Sequence, residues 1–422
     1  MQIAIPYGLT TLTAQSLRDT ALLAPEEPLC CLSPAGFAEE IRRQLSLRPL
    51  DLSEVMIVVA DKTRLCGYDQ YLPILVQVLQ EFGLNESRLR FIIAYGTHPR
   101  QSDDECRQCY GETYSRSTFI HHDCSKPELF TELGTTARGV PIRVRTDLFT
   151  ASSVITMGPL CHHYFAGYGG GRKLIFPGCG EREAIYANHG LYLDRSAGRL
   201  HPACQPGRLE GNPLAEDLFE IGTARPADLA IHGILDSRGR LCDIFSGSSK
   251  DDYLRACACH ARLYESDAPA FNNVIASCGG YPKDINFIQS HKAIHNGSMF
   301  VADGGTLLLF AQCRDGIGSK TFLPWFDLGG FAAAFERLSR GYAGNGGTAL
   351  AMMAKTDRIR IAMVTELDEA ICATIGVEKW SRAKALDYIQ NLQEPACYIA
   401  NAGLLVRKPF SEQDETHTFK KN

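Results

Sequence analysis

Short, unbroken apolar runs recur along this chain, and amphipathic stretches fall between them. Val55-Met-Ile-Val-Val-Ala60 holds no polar position, which predicts a strand buried on both faces. Residues 91–95 repeat that character, and 154–157 do so apart from Thr156. Leu72, Leu75, Val76, Leu79 and Phe82 instead recur at helical spacing, with Pro73 placed for a first turn. Further helices are predicted near 34–45 and over 101–110, 181–189 and 250–264. The helix at 181–189 is expected to close on Gly190 at the position after its cap. Additional strands are predicted at 2–6, 228–235, 273–277, 306–310, 359–364 and 396–400.

Strands alternating with helices imply parallel pairing in an α/β sheet, and in such sheets the loops at the strand carboxyl ends converge on a ligand crevice. Asp61, Arg64, His98, His162, His163 and Lys173 all fall on loops of that kind. The expected architecture is two α/β domains with a cleft between them. A larger N-terminal parallel-sheet domain spans 1–265, a strand and helix at 266–296 join the two, and a smaller C-terminal α/β domain spans 297–422. The joining helix is expected from about 284 to 295, stopped by Asn296-Gly297, with Gln289 and Lys292 three apart on one face. Residues 191–220, rich in Pro and Gly, read as a turn-rich excursion, and the polar tail from Ser411 as frayed.

Composition narrows the function. A net charge of −5 on 422 residues gives no footprint for nucleic acid or a membrane surface. No basic, apolar leader opens the chain and no apolar run nears the ~20 residues of a membrane span, so a soluble, cytoplasmic protein is expected. The 16 cysteines are scattered singly, as reduced thiols are. Cys106-x-x-Cys109 with Cys124, and Cys257-x-Cys259-His260, hold zinc-ligand residue types but lack the partner motif of a zinc finger.

The richest stretch is 161–180, CHHYFAGYGGGRKLIFPGCG. Gly169, Gly170 and Gly171 beside Arg172 and Lys173 let backbone N–H groups approach an anion closely. It is not a P-loop, because the second glycine and the metal-binding hydroxyl are missing. His98, His163 and His189 offer acid/base chemistry near neutral pH or a neutral imidazole for a metal. Asp61 could orient a histidine or cap the following turn, and Arg64 could clamp a carboxylate or make a surface ion pair. Gln289 and Lys292 could equally be the wet face of their helix. Tyr281, Phe287 and Trp325 could shape a pocket or fill the core.

The ordered series Asp61-x-Thr-Arg64, Gly96-Thr-His98, His163-Tyr-x-Ala-Gly-Tyr-x-Gly-Gly-Arg-Lys173, His189 and Gly280-Tyr-Pro-x-Asp through Gln289-x-x-Lys292 resembles the nickel-dependent lactate racemase family. The likeness runs through nearly the whole chain, including the spacing between motifs. It implies a racemase or epimerase of a small-molecule 2-hydroxy acid that uses a nickel-pincer nucleotide (pyridinium-3,5-bisthiocarboxylic acid mononucleotide nickel) made by cofactor-biosynthesis proteins. It further implies that Lys173 holds the cofactor within the 1–265 domain and that His189 ligates nickel. His98 and His163 would be the paired acid/base groups, with Asp61, Arg64, Gln289 and Lys292 supporting them or binding substrate. Reversible hydride transfer from the α-carbon through a 2-keto acid is the implied route, since direct α-proton removal beside a carboxylate is difficult. Two rival readings are a nicotinamide-dependent 2-hydroxyacid dehydrogenase, for which no strand is followed by GxGxxG, and a non-catalytic nucleotide- or metal-binding protein.

Overall fold

The computed structural model describes residues 2–15 and 20–408; the tail from Ser411 lies outside them. The chain divides into two α/β units, each built on a six-stranded sheet.

One unit takes Glu27–Leu191 and Arg208–Leu263. Its strands run in the order Leu241–Gly247, Leu229–Leu235, Ser153–Pro159, Val55–Ala60, Leu89–Ala94 and Thr118–His121. Only the first pair is antiparallel; the other four pairings are parallel. Every residue of Val55–Ala60 and of Ser153–Pro159 is buried, as expected of strands covered on both faces. The phenol of Tyr68 ties these two strands together: it accepts from the Ala60 N–H and donates to the Met157 carbonyl, both at 2.9 Å.

Several local expectations shift here. The helix carrying Leu72 runs Tyr68–Glu81, so Pro73 sits inside it rather than in its first turn. Gly67 at φ 64° turns the chain early enough for Tyr68 to reach the strands, which outweighs the one hydrogen bond a proline forfeits. Pro213–Ala224 is a helix, capped by the Asn212 side chain on the Ala215 N–H, within the stretch read as turns. Gly190 is right-handed (φ −62°) and opens a further short helical turn. The strand Leu241–Gly247 was not anticipated.

The other unit takes residues 2–15 and 20–26, Tyr192–Gly207 and residues 264–408. Its sheet order is Glu378–Lys379, Arg360–Val364, Val301–Phe310, Phe271–Ser277, Ala396–Ile399 and Thr20–Leu23, parallel throughout. The N-terminal residues thus belong with the C-terminal sheet rather than with the 1–265 block. Thr20–Leu23 is its edge strand, and the hairpin of Gln2–Tyr7 and Thr10–Gln15 buries Ile3, Ile5 and Tyr7 against inner strands, in one core with Ile275, Leu308 and Phe310. Alternation sorts the strand residues between two cores. Val274, Ala276, Leu307, Leu309, Ile361 and Met363 lie in one, Ile275, Leu308, Phe310, Ala362 and Val364 in the other.

The helix carrying Gln289 and Lys292 runs Phe287–Ser298, with Asn286 capping the Gln289 N–H. Asn296 and Gly297 therefore lie inside it. A Cβ on Gly297 would sit 3.2 Å from Leu307 Cδ1, so this glycine serves close helix–strand approach rather than a stop. Phe287 is fully buried core, Tyr281 is exposed beneath the Arg314 guanidinium, and Trp325 packs at the edge of the core.

Candidate active site

Parallel pairing of Val55–Ala60 with Leu89–Ala94 sets their carboxyl ends side by side, Ala60 opposite Ala94. The Asp61 and His98 loops leave from there. Asp61 Oδ1 accepts from the Thr63 N–H at 2.9 Å and the Thr63 hydroxyl at 2.6 Å, folding the loop on itself. Its Oδ2 lies 2.5 Å from His98 Nδ1. Gln101 holds the same loop by accepting from the Lys62 N–H at 2.8 Å, and Lys62 pairs with Glu105. On the other side, Gly96 N–H donates to the Gly178 carbonyl and His98 N–H to the Tyr95 carbonyl, both at 2.9 Å.

A carboxylate only accepts, so its contact places a proton on His98 Nδ1; in the neutral ring Nε2 then carries the lone pair. Burial pushes the Asp61 carboxyl upward. The hydrogen bond and charge of His98, with Thr63, outweigh it and hold Asp61 below the usual carboxylate range. The ring of His98 itself is exposed, with 42% of its side-chain surface accessible.

The third loop follows Ser153–Pro159. Residues His162–His163 pair with Gly167–Tyr168 in a small antiparallel hairpin. His162 turns to Tyr168 (5.1 Å between centroids) and His260 (4.7 Å). His163 Nδ1 accepts from the N–H groups of Ala166 at 3.1 Å and Phe165 at 3.3 Å. With Nδ1 accepting, the neutral ring carries its proton at Nε2, the reverse of His98. Burial, then the charges of Lys173, Arg64, His189 and Arg172, push His163 well below the ordinary histidine value.

Two glycines shape the turn into Lys173. Gly170 has φ +71°, and a Cβ there would meet the Pro159 carbonyl oxygen at 2.6 Å. Gly171 has φ +51°, and a Cβ would meet the Tyr253 ring at 2.7 Å and His232 Cε1 at 3.0 Å. Gly169 continues the hairpin, its N–H donating to the Cys161 carbonyl at 2.7 Å. Arg172 lies over Phe219 (3.9 Å) and Tyr253 (4.7 Å), with its three nitrogens shielded from solvent. Lys173 keeps some solvent contact, yet dense protein surrounds it. That burial, with Arg64 and Arg172, pushes its ammonium down to about 7.

His189 ends the helix Arg182–His189, which Asn188 anchors by donating to buried Asp217 at 2.8 Å. Burial and the Lys173 charge push His189 down to about 3, so its imidazole is neutral at physiological pH.

Asp61 and His98 are thus in direct contact, and His163, Lys173, Arg64, Arg172 and His189 form one electrostatically linked group in the same unit. Gln289 and Lys292 lie in the other unit, where the Lys292 ammonium donates to Gln289 Oε1 at 2.9 Å. Neither cysteine motif weighed for zinc brings three ligand atoms together among the described residues.

Two family models match the chain, one largely in each unit. The lactate racemase N-terminal domain matches residues 46–200 and the lactate racemase C-terminal domain matches 267–333, together just over half of the sequence. The lactate racemase of Thermoanaerobacterium thermosaccharolyticum is 29% identical over 338 residues, 77% of each chain. This chain belongs to the lactate racemase family. It is accordingly an isomerase. The lactate racemase of Lactiplantibacillus plantarum is 27% identical over 271 residues, 64% of this chain and 62% of that protein. The apoprotein structure of the Thermoanaerobacterium lactate racemase shares the fold, with a TM-score of 0.85 at 24% identity over 97% of this chain and all of that one. A Thermotoga maritima protein shares it at a TM-score of 0.67 and 16% identity, over 91% of this chain and 99% of that one.

Lactate racemase motifs did not point to every residue that shapes this site. Gln101 and Tyr253 escaped sequence reasoning, because a loop-holding amide and an aromatic shelf carry no spacing signature. Thr63 was visible inside the Asp61-x-Thr-Arg64 motif but had no role until its two hydrogen bonds to Asp61 appeared.

Proposed function

We propose that this protein racemises lactate or a closely related 2-hydroxy acid, with His98 and His163 as the paired acid/base groups. The observation that carries the reading is the opposite tautomers that their partners favour in the two neutral rings. His98, backed by Asp61, presents a lone pair at Nε2, and His163, held by two backbone N–H groups, presents a proton at Nε2. His98 accepts the substrate's hydroxyl proton, His163 supplies its Nε2 proton to the oxygen as the planar 2-keto acid takes hydride back, and the proton His98 then releases restores the His163 N–H. Inversion needs that complementarity, because the two enantiomers present their hydroxyls on different sides. Arg64 gives the substrate carboxylate a cationic partner. Gln289 and Lys292 are assigned to substrate binding on the resemblance of their motif.

The residues fit a nickel-pincer nucleotide. Lys173, with its proton affinity lowered to about 7, provides an amine free to form a covalent or charge-based hold. His189 provides a neutral imidazole donor suited to nickel, and Gly170 and Gly171 let the loop pack tightly against Pro159 and Tyr253 as it delivers Lys173. When bound, that group supplies an acceptor and donor for hydride at the substrate α-carbon. The protein's part is to position the substrate, hold its carboxylate and move the hydroxyl proton.

The test combines whole-protein mass, metal analysis and racemisation rates in both directions, on protein made together with the cofactor pathway. His189→Ala is expected to lose nickel. His98→Ala and His163→Ala are expected to keep it and to lose ~10²–10⁴-fold in rate. Full nickel and activity in His189→Ala would remove the metal assignment. Near-normal turnover in His163→Ala, with loss in His162→Ala, would move the acid/base role to the neighbour.

A further inference from the structure

Away from this site, a short strap of chain carries two cysteines past the first turn of the strand Leu241–Gly247. It begins at Glu27, whose carboxylate accepts from the Ser237 N–H at 3.1 Å. Leu32 N–H donates to the Leu241 carbonyl at 3.0 Å, and the Leu32 carbonyl accepts from the Tyr71 hydroxyl at 2.5 Å. Ser33 then caps the helix Pro34–Leu47. The strap is therefore fixed on both sides of Cys31.

That fixing matters because Cys31 is exposed and faces a buried thiol. The Cys31 sulfur, the Cys242 sulfur and an Asp236 oxygen all lie within 4.8 Å of one another. Asp236 is already saturated. Its Oδ1 accepts from the Arg238 and Arg240 N–H groups at 2.9 Å, and its Oδ2 from Arg240 Nε at 2.7 Å. A carboxylate so engaged is poorly placed to ligate a metal, which leaves the two thiols as the reactive pair. Cys242 presently donates to the Arg240 carbonyl at 3.4 Å.

We propose that Cys31 and Cys242 form a reversible dithiol–disulfide site, closed by exchange with a low-molecular-weight disulfide. The Cys31 thiolate attacks the external disulfide, forming a mixed disulfide and releasing one small thiolate. Cys242 then loses its proton to that thiolate and attacks the Cys31 sulfur, forming the Cys31–Cys242 bond and releasing the second small thiolate, which takes up the proton Cys31 gave to solvent. Two protein thiols are oxidised by two electrons and one external disulfide is reduced to two thiols. Exposure makes Cys31 the entry point, and burial makes Cys242 the resolving partner. Burial, Asp236 and Cys31 push the Cys242 thiol up to about 12, so the closing step quickens as pH rises. The bond would pin the strap, through which the chain enters this unit at Glu27, to the strand that pairs with Leu229–Leu235.

The experiment uses the full-length protein, fully reduced, desalted and exposed to oxidised glutathione. Free thiols are then alkylated and the protein is digested without reduction. The expected product is a Cys31–Cys242 linked peptide as the main linkage of either residue, a loss of two hydrogens in whole mass, and reversal by dithiothreitol. Cys31→Ser, at an exposed position, is expected to leave Cys242 free. Cys242→Ser is expected to stop with one glutathionyl group on Cys31. The proposal is overturned if wild-type Cys31 stops at the glutathionyl stage with Cys242 free. Cys31 joined to Cys30 instead, or Cys242 oxidised equally in Cys31→Ser, would overturn it as well.

Discussion

Replacing Asp61 by Asn tests the proposed acid/base pair at its most constrained contact. Thr63 gives two hydrogen bonds to Asp61 Oδ1, from its N–H at 2.9 Å and its hydroxyl at 2.6 Å. In Asp61→Asn those donors keep the amide oxygen, so the new NH₂ faces His98 Nδ1. A donor there forces Nδ1 to accept, which moves the imidazole proton to Nε2. The lone pair that takes the substrate proton is then lost while the ring stays in place. Tautomer reversal of this kind in a carboxylate–histidine pair costs on the order of 10⁴ in turnover, and simple loss of a general base ~10²–10⁴. At about 1.4 kcal/mol per decade that range is roughly 3–5.5 kcal/mol of barrier. Asp61→Ala removes the carboxylate without imposing a tautomer, so it should retain more activity than Asp61→Asn despite being the larger truncation. The assay is the racemisation rate of each variant in both directions. Nitrogen-15 shifts of the His98 ring report the tautomer independently of turnover. An Asn variant within about threefold of wild type, or more active than the Ala variant, would refute the reasoning.

Other consequences are open to measurement. Lys173 should react with an amine-selective reagent with a midpoint near pH 7, since the ammonium loses its proton as pH rises through about 7; a midpoint near 10 would show that burial and the two arginines do not act as described. His122 and His232 are buried and each pushed down to about 4, chiefly by burial, with Arg145 adding to it at His122 and Asp252 opposing it at His232. Stability should therefore be full above the unfolded histidine value near 6.5 and fall as pH drops toward about 4, by up to ~3 kcal/mol for each. Denaturant unfolding at stepped pH, with His122→Gln flattening part of the slope, checks this. Tyr68→Phe strips the hydroxyl that joins the Ala60 N–H to the Met157 carbonyl and should cost about 1–3 kcal/mol in denaturant unfolding. Gly170→Ala must displace the Pro159 carbonyl or abandon φ +71°, so cofactor retention should fall even if the protein stays folded; unchanged nickel content would count against the loop's role.

The strands of both sheets were the most legible part of the fold, because runs such as Val55–Ala60 hold only apolar residues and match a strand buried on both faces. Legibility failed where a residue's tertiary task overrode its local habit. Gly297 reads as a helix stop, yet it sits inside a helix because Leu307 passes close by. The helix Pro213–Ala224 hid among prolines and glycines, though Asn212-Pro213 is a capping signal in its own right. The placement of Thr20–Leu23 depends on pairing with a strand near the far end of the chain, which no local window registers. Motif spacing singled out Asp61, His98, His163, Lys173 and His189. It was silent on how Thr63 and the backbone of 165–166 set opposite tautomers on two histidines.

The edge pairing of Thr20–Leu23 with Ala396–Ile399 also bears on synthesis. The early strand leaves the ribosome with its partner roughly 375 residues behind, and at ~5–20 residues per second it waits on the order of tens of seconds. The chain passes between the two units at 26/27, 191/192, 207/208 and 263/264 before that partner is made. Throughout the interval one strand edge offers unpaired N–H and C=O groups to any other nascent chain nearby. Aggregation during expression should therefore respond to translation speed and to changes in residues 20–23 more than to the stability of the finished protein.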